Sequence, residues 1–232
     1  MHFTLCDCNG DQKTYRFGKG GGTSWFLDES GSYAVSGGIV THAKYQYGSG
    51  VLVDGTGTFD MYGGTLVGNT GTSAGSGSSN GSNGGGVYVK GEGSTFNLYA
   101  GAITGNTVEG ANASFGGGGV YVSGSGYFNM YGGNITNNAL ARSTSGGGVH
   151  VSKDGTFNMS GGVIGGEGAE NANQGGVVVR CGTFNMTGGK ITHNEKFGVY
   201  VYGGEFTMGG NAAIAGNSGY GVEVAVYTAS LD

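Results

Sequence analysis

The residues able to do chemistry in this chain are few and widely spread. His150 and His193 have no Ser or Asp at nucleophile–base spacing. The acids Asp54, Asp60, Glu92, Asp154 and Glu205 are scattered singly. A lyase would need an acidic calcium cluster beside a base, and a hydrolase would need two carboxylates facing across a cleft. Neither pattern is visible, so catalysis is left as a minor alternative: a polysaccharide lyase or hydrolase. Asp54, Lys90, Lys153, Asp154 and Arg180 recur at equivalent places and read as a surface charge stripe. Cys6, Cys8 and Cys181 make an odd count with one C-x-C pair, which is no disulfide framework. Residues i and i+2 of a strand share a face and are poorly placed to bridge. The expectation is therefore unpaired thiols, no metal and no cofactor.

The tyrosines carry more pattern. One column reads Leu52, Tyr88, Tyr121, His150, Val178, Tyr200, Glu223; a second reads Tyr62, Tyr99, Tyr131, Ser160, Thr187. A tyrosine offers a flat apolar ring with a polar tip, suited to a sugar or a protein surface. Tyr62, Tyr88, Tyr99, Tyr121 and Tyr131 are the candidate ligand-binding residues. Cross-strand packing is the other reading of the same columns. An array of Thr58, Thr95, Thr156 and Thr183 is interrupted by Tyr127, which weakens any ice-binding reading.

These columns exist because the chain repeats one unit, clearest at 148–164 as GVHVSKDGTFNMSGGVI. Gly-Val-x-Val appears as GVLV (50–53), GVYV (86–89 and 119–122), GVHV (148–151), GVVV (176–179), GVYV (198–201) and GVEV (221–224). The Thr-Phe-Asn-Met-x-Gly-Gly segment follows each of the first six, and a short strand with one Ile, Val or Leu follows that; SYAVSGGIVTH from Ser32 is an earlier, partial copy. Alternation places both Val on one face, and Phe with Met on one face with Asn opposed. About five apolar side chains per unit cannot form a core alone, but stacked units align them into a continuous column. Three short strands per turn with Gly-rich corners predict a parallel β-helix. About seven or eight coils at ~4.8 Å spacing would make a rod of roughly 35 Å.

The Phe positions Phe59, Phe96, Phe128, Phe157, Phe184 and Phe206 draw closer along the chain. The surplus lies in one connection per coil, longest at 69–85, so the loops leave one corner and shorten toward the C-terminus. Both Tyr columns are richest where these loops are longest. At the end of the third strand, Asn69, Asn106, Asn138, Asn194 and Asn217 recur, with Gly166 in the fourth place, and predict a structural amide ladder. GGGG from Gly116 precedes a strand rather than a helix, which excludes a phosphate loop.

Composition agrees. There are 57 glycines, no proline, 11% charged residues and a net charge of −5. Collagen is excluded by the missing triplet period, and an acidic, weakly charged chain is a poor nucleic-acid ligand. No apolar run is long enough to span a membrane. The opening MHFTLCDCNG does not read as a signal peptide. Residues 1–31 read as an incomplete, cap-like coil and 32–232 as one continuous solenoid. An uncapped solenoid end exposes strand edges, so end-to-end self-association is possible.

The consensus of these copies, GGGVYV followed by GTFNMYGGTITGN, resembles the repeat of large surface proteins of gut-dwelling Gram-positive bacteria, and LCDCNG from Leu5 looks like the segment that precedes such arrays. More remotely, the chain is similar to chlamydial polymorphic outer-membrane proteins and autotransporter passengers. The resemblance implies a right-handed, pectin-lyase-like parallel β-helix and an extracellular, cell-surface location. It also implies a fragment of a larger secreted or wall-anchored protein, with an adhesive or display role and a host or microbial glycan or surface protein as partner. It carries over no catalytic residue. A passive structural spacer is the alternative to the adhesin-like binding module.

Overall fold

The structure is a computed structural model. It describes residues 2–6, 12–16, 25–27, 32–35, 37–45, 50–72, 84–109, 116–140 and 146–225; within these, side chains are described from residue 37 onward, Tyr45 excepted. The described residues contain strands and turns but no helix. The chain is a parallel β-helix solenoid. Three long parallel sheets run the length of the rod, each built from one strand per coil. The first runs from Trp25–Leu27 to Val222–Ala225, the second from Ser32–Val35 to Glu205–Met208, and the third from Ile39–Thr41 to Ala213–Ala215.

Register follows the repeat residue by residue. Phe96 pairs with Phe59 and Phe128, and Val87 with Val51 and Val120. Identical side chains therefore stack at the strand spacing. Phe128, Phe157 and Phe184 lie ring on ring, 4.7 and 4.6 Å between centroids and nearly parallel. Val, Phe, Met and Ile columns from all three sheets meet in one buried core. The corners between strands are set by glycine. Gly133, the second of a Gly-Gly pair, has φ +78°, and a Cβ there would press on the Gly101 carbonyl of the coil before.

Two features add to the repeat as read from sequence. The first sheet begins at Trp25–Leu27, paired in parallel with Val51–Val53, so coil structure starts within 1–31. Ahead of it, His2–Cys6 and Gln12–Arg16 form an antiparallel hairpin. Second, the connection after the asparagine is not a plain loop. Lys44–Tyr45, Thr70–Thr72, Thr107–Glu109 and Ala139–Leu140 stack into a fourth parallel sheet. Val108 and Leu140 form a small core of their own there. The sheet ends where the Gln174 side-chain carbonyl accepts from the Leu140 amide at 3.0 Å. The segments 73–83, 110–115 and 141–145, where the longest insertions were read, lie outside the described residues.

Candidate functional site

The asparagine ladder is internal. Asn69, Asn106, Asn138, Asn173 and Asn194 are fully buried, and Asn217 follows them. Each side-chain amide donates to the carbonyl oxygen of the next rung: Asn106 to Asn138 at 3.0 Å and Asn138 to Asn173 at 3.1 Å. Its second hydrogen goes to a backbone carbonyl of the preceding coil, Leu66 from Asn106 and Ile103 from Asn138. The Asn138 oxygen accepts from both the backbone and the side chain of Asn106. All four hydrogen-bonding positions of the Asn138 amide group are filled, so the ladder is structural.

Here the reading of the fourth place is corrected. Asn173, not Gly166, is the rung between Asn138 and Asn194. After Gly165 (φ +89°) the chain detours through 166–172 before delivering Asn173 to the same position. A linear repeat search passes over it because the detour shifts the asparagine seven residues along. The buried Asn and the neighbouring Gly-Gly-Val were the available signal.

The two tyrosine columns separate. In the first sheet, Leu52, Tyr121, His150 and Val178 are buried, Tyr121 only 3% exposed. Alternation is right that these side chains point away from the core. The correction is that the outer side of this sheet is not solvent. Glycines entering each coil lie across it: the Gly116 carbonyl meets His150 Nδ1 at 3.3 Å, and a Cβ on Gly117 would collide with Val120 and approach the His150 amide. Tyr88 and Tyr121 pack as a tilted pair, 5.0 Å between centroids, and His150 meets Tyr121 edge-on. Tyr121 therefore leaves the set of available ligand-binding residues, and Tyr88, half-buried and near Ser123, sits at its margin. His150 has a second peculiarity. Its Nε2 has no hydrogen-bond partner among the described residues, and burial, with Arg180 adding to it, pushes its pKa down to about 4.

The second column is exposed and continuous. Tyr62, Tyr99 and Tyr131 stack face to face on the outer side of the second sheet, at 4.6 and 4.8 Å with planes within 5° and 12°. Beside them runs a second, outer amide row. Asn97 donates to Asp60, Asn129 to Asn97, Asn158 to Asn129 and Asn185 to Asn158, at 2.7 to 3.0 Å, and the Thr207 hydroxyl donates to Asn185. Each of these asparagines uses one donor and one acceptor in the row, leaving one amide hydrogen and one lone pair for solvent or a ligand. Packing between its neighbours, then the Asp60 carboxylate, holds Tyr99 above the ordinary tyrosine pKa. The raised pKa keeps the Tyr99 phenol a neutral hydroxyl group. Sequence reasoning found the Tyr column and missed the Asn row, although Asn at the centre of every TFNM copy signals it.

Lys90 pairs with Asp54 at 2.8 Å and Lys44 with Glu109 at 3.2 Å, both at the surface. Arg180 lies over the Tyr202 ring. Cys181 is an exposed free thiol, and Cys8 lies outside the described residues. Among the described residues no three of His, Cys, Asp and Glu gather, and no helix is long and apolar enough to cross a membrane. No protein-family model matches the chain, and searches of curated proteins and of solved structures find no match.

Proposed function

We propose that this chain is an adhesin-like binding and display module, acting outside the cell as part of a bacterial surface protein, and that glycans or glycosylated proteins are its partners. The carrying observation is the exposed Tyr62–Tyr99–Tyr131 stack running beside the outer asparagine row. Together they make a strip of hydroxyl and amide groups with apolar ring edges between them, uncharged beyond the Asp60 carboxylate at its first rung. Such a strip suits a polyhydroxylated, uncharged chain better than an anionic polymer, which the net charge of −5 also disfavours.

A passive spacer is the second reading, and one observation favours it. In the middle of the stack each ring face is covered by the next ring, so the stack itself stabilises the sheet. Binding separates the two. The chain is applied to immobilised mucin and to a glycan array, alongside a variant with Tyr62, Tyr99 and Tyr131 all changed to Ser. Serine is the side chain the sequence already carries at the next rung, Ser160. Retention of the wild-type chain, with at least a tenfold loss in the variant, supports the module. No retention of the wild-type chain supports the spacer.

A further inference from the structure

The tyrosine stack ends abruptly, and the end differs from the middle. Tyr99 is covered on both faces, by Tyr62 and by Tyr131. Among the described residues, Tyr131 is covered only by Tyr99. The register Met130–Met159 and the bond from the Ser160 amide to the Met130 carbonyl place Ser160 on the next rung. Thr187 occupies the rung after that. Both are exposed and carry no ring. Exposure follows: 37% for Tyr99 but 50% for Tyr131. The open face of Tyr131 therefore looks along the rod, over a serine, into a notch one rung high. Its inner side is flanked by Asn129 and Asn158 of the outer amide row.

We propose that this notch is a saccharide subsite, in which one hexopyranose ring takes the vacant place in the stack above Ser160. This rests on the binding-module reading above and narrows it to one position. Three observations select a sugar. The rungs are 4.6 to 4.8 Å apart, a spacing at which the axial C–H face of a pyranose can lie on the Tyr131 ring. A ring in that plane projects its equatorial hydroxyl groups sideways, toward Asn158 on the same strand two residues before Ser160. Asn158 donates to Asn129 and accepts from Asn185, and so keeps one N–H and one lone pair. A hydroxyl group can both donate and accept, which matches this alternation; a phenyl side chain of a protein partner would satisfy neither. No ionised side chain borders the notch on these three rungs of the second sheet, which suits a neutral β-hexopyranose whose substituents are all equatorial, as in the gluco configuration, or mostly so, as in the galacto configuration.

The test titrates the full chain with β-linked gluco-, galacto- and N-acetylglucosamine hexasaccharides, with p-cresol as the probe for a protein aromatic. Binding is read by calorimetry and by tyrosine near-ultraviolet difference spectra. Ser160→Leu fills the notch, and Tyr131→Leu removes the aromatic face while keeping Tyr99 covered. Tyr220→Ala, at an exposed tyrosine distant from the stack, is the control. Expected is saturable binding of at least one hexasaccharide, weakened tenfold or more by either leucine variant and unchanged by the control. All variants should melt within a few degrees of wild type. Undiminished sugar binding in Ser160→Leu overturns the subsite while leaving the binding module standing. Binding of p-cresol but of no sugar overturns it in favour of a protein partner. No binding of any probe overturns it as well, and the mucin experiment above then decides independently whether the module reading also falls.

Discussion

A buried histidine in the first sheet links one residue to the stability of the rod. His150 packs edge-on against Tyr121, its Nδ1 faces the Gly116 carbonyl and its Nε2 has no partner among the described residues. Its pKa is lowered to about 4 from 6.5 in the unfolded chain. Between these values the unfolded state binds the proton and the folded state does not. The stability contribution is therefore full above pH 6.5 and is lost as pH falls through 4, by about 3 kcal/mol. His150→Val copies the next rung, Val178, and removes the orphaned nitrogen. Expected is a variant at least as stable as wild type at pH 7, with a flatter loss of denaturation midpoint between pH 6.5 and 4. An unchanged acid slope would show that other groups govern it.

At the scale of the repeated element, the buried asparagine is what locks one coil to the next. Asn138→Ala would leave the Asn106 backbone amide and one Asn106 side-chain hydrogen without partners, and would take one of the donors from the Ile103 carbonyl. Two buried donors stripped in this way cost about 2–5 kcal/mol together. The denaturant midpoint should fall accordingly with little change in far-ultraviolet circular dichroism at low denaturant, and a loss under 1 kcal/mol would contradict the ladder's role. The ladder also shows what was legible in the sequence. Strand order, facing and the Asn69, Asn106 and Asn138 rungs follow from spacing alone, because each coil repeats the same buried chemistry. Asn173 was hidden because an insertion moved it in sequence without moving it in space. Tyr121 was misjudged because alternation gives a direction, not what lies on that side. Glycine, which reads as loose loop, is also the residue that can lie flat on a sheet and cover it. The fourth sheet escaped notice for a related reason: Thr70–Thr72 and Ala139–Leu140 are too short and too dissimilar to show a period.

For the whole molecule, a solenoid's stability is close to a sum over coils and their interfaces, so burial along the rod should translate into a gradient of local opening. The central coils are dry: Phe128, Met130, Phe157, Phe184 and Met186 are fully buried. The same columns end in Phe206 and Ile214, only partly buried, and in Met208, Val222 and Val224, which are 48%, 43% and 63% exposed. Those last residues keep the register, with Met208 on Met186 and Val224 on Val201, but receive a neighbour on one side only within the described residues. Amide hydrogen exchange should therefore be slowest in Tyr127–Met130 and Thr156–Met159, and orders of magnitude faster in Glu205–Met208 and Val222–Ala225. Asn138→Ala should lower protection on both sides of its own coil and leave the terminal strands at their already rapid rates. Equal protection of terminal and central strands would mean that the rod opens as one cooperative block or that its end is covered in solution. Sedimentation velocity on the same sample separates these: a monomer gives the block, an oligomer gives the covered end.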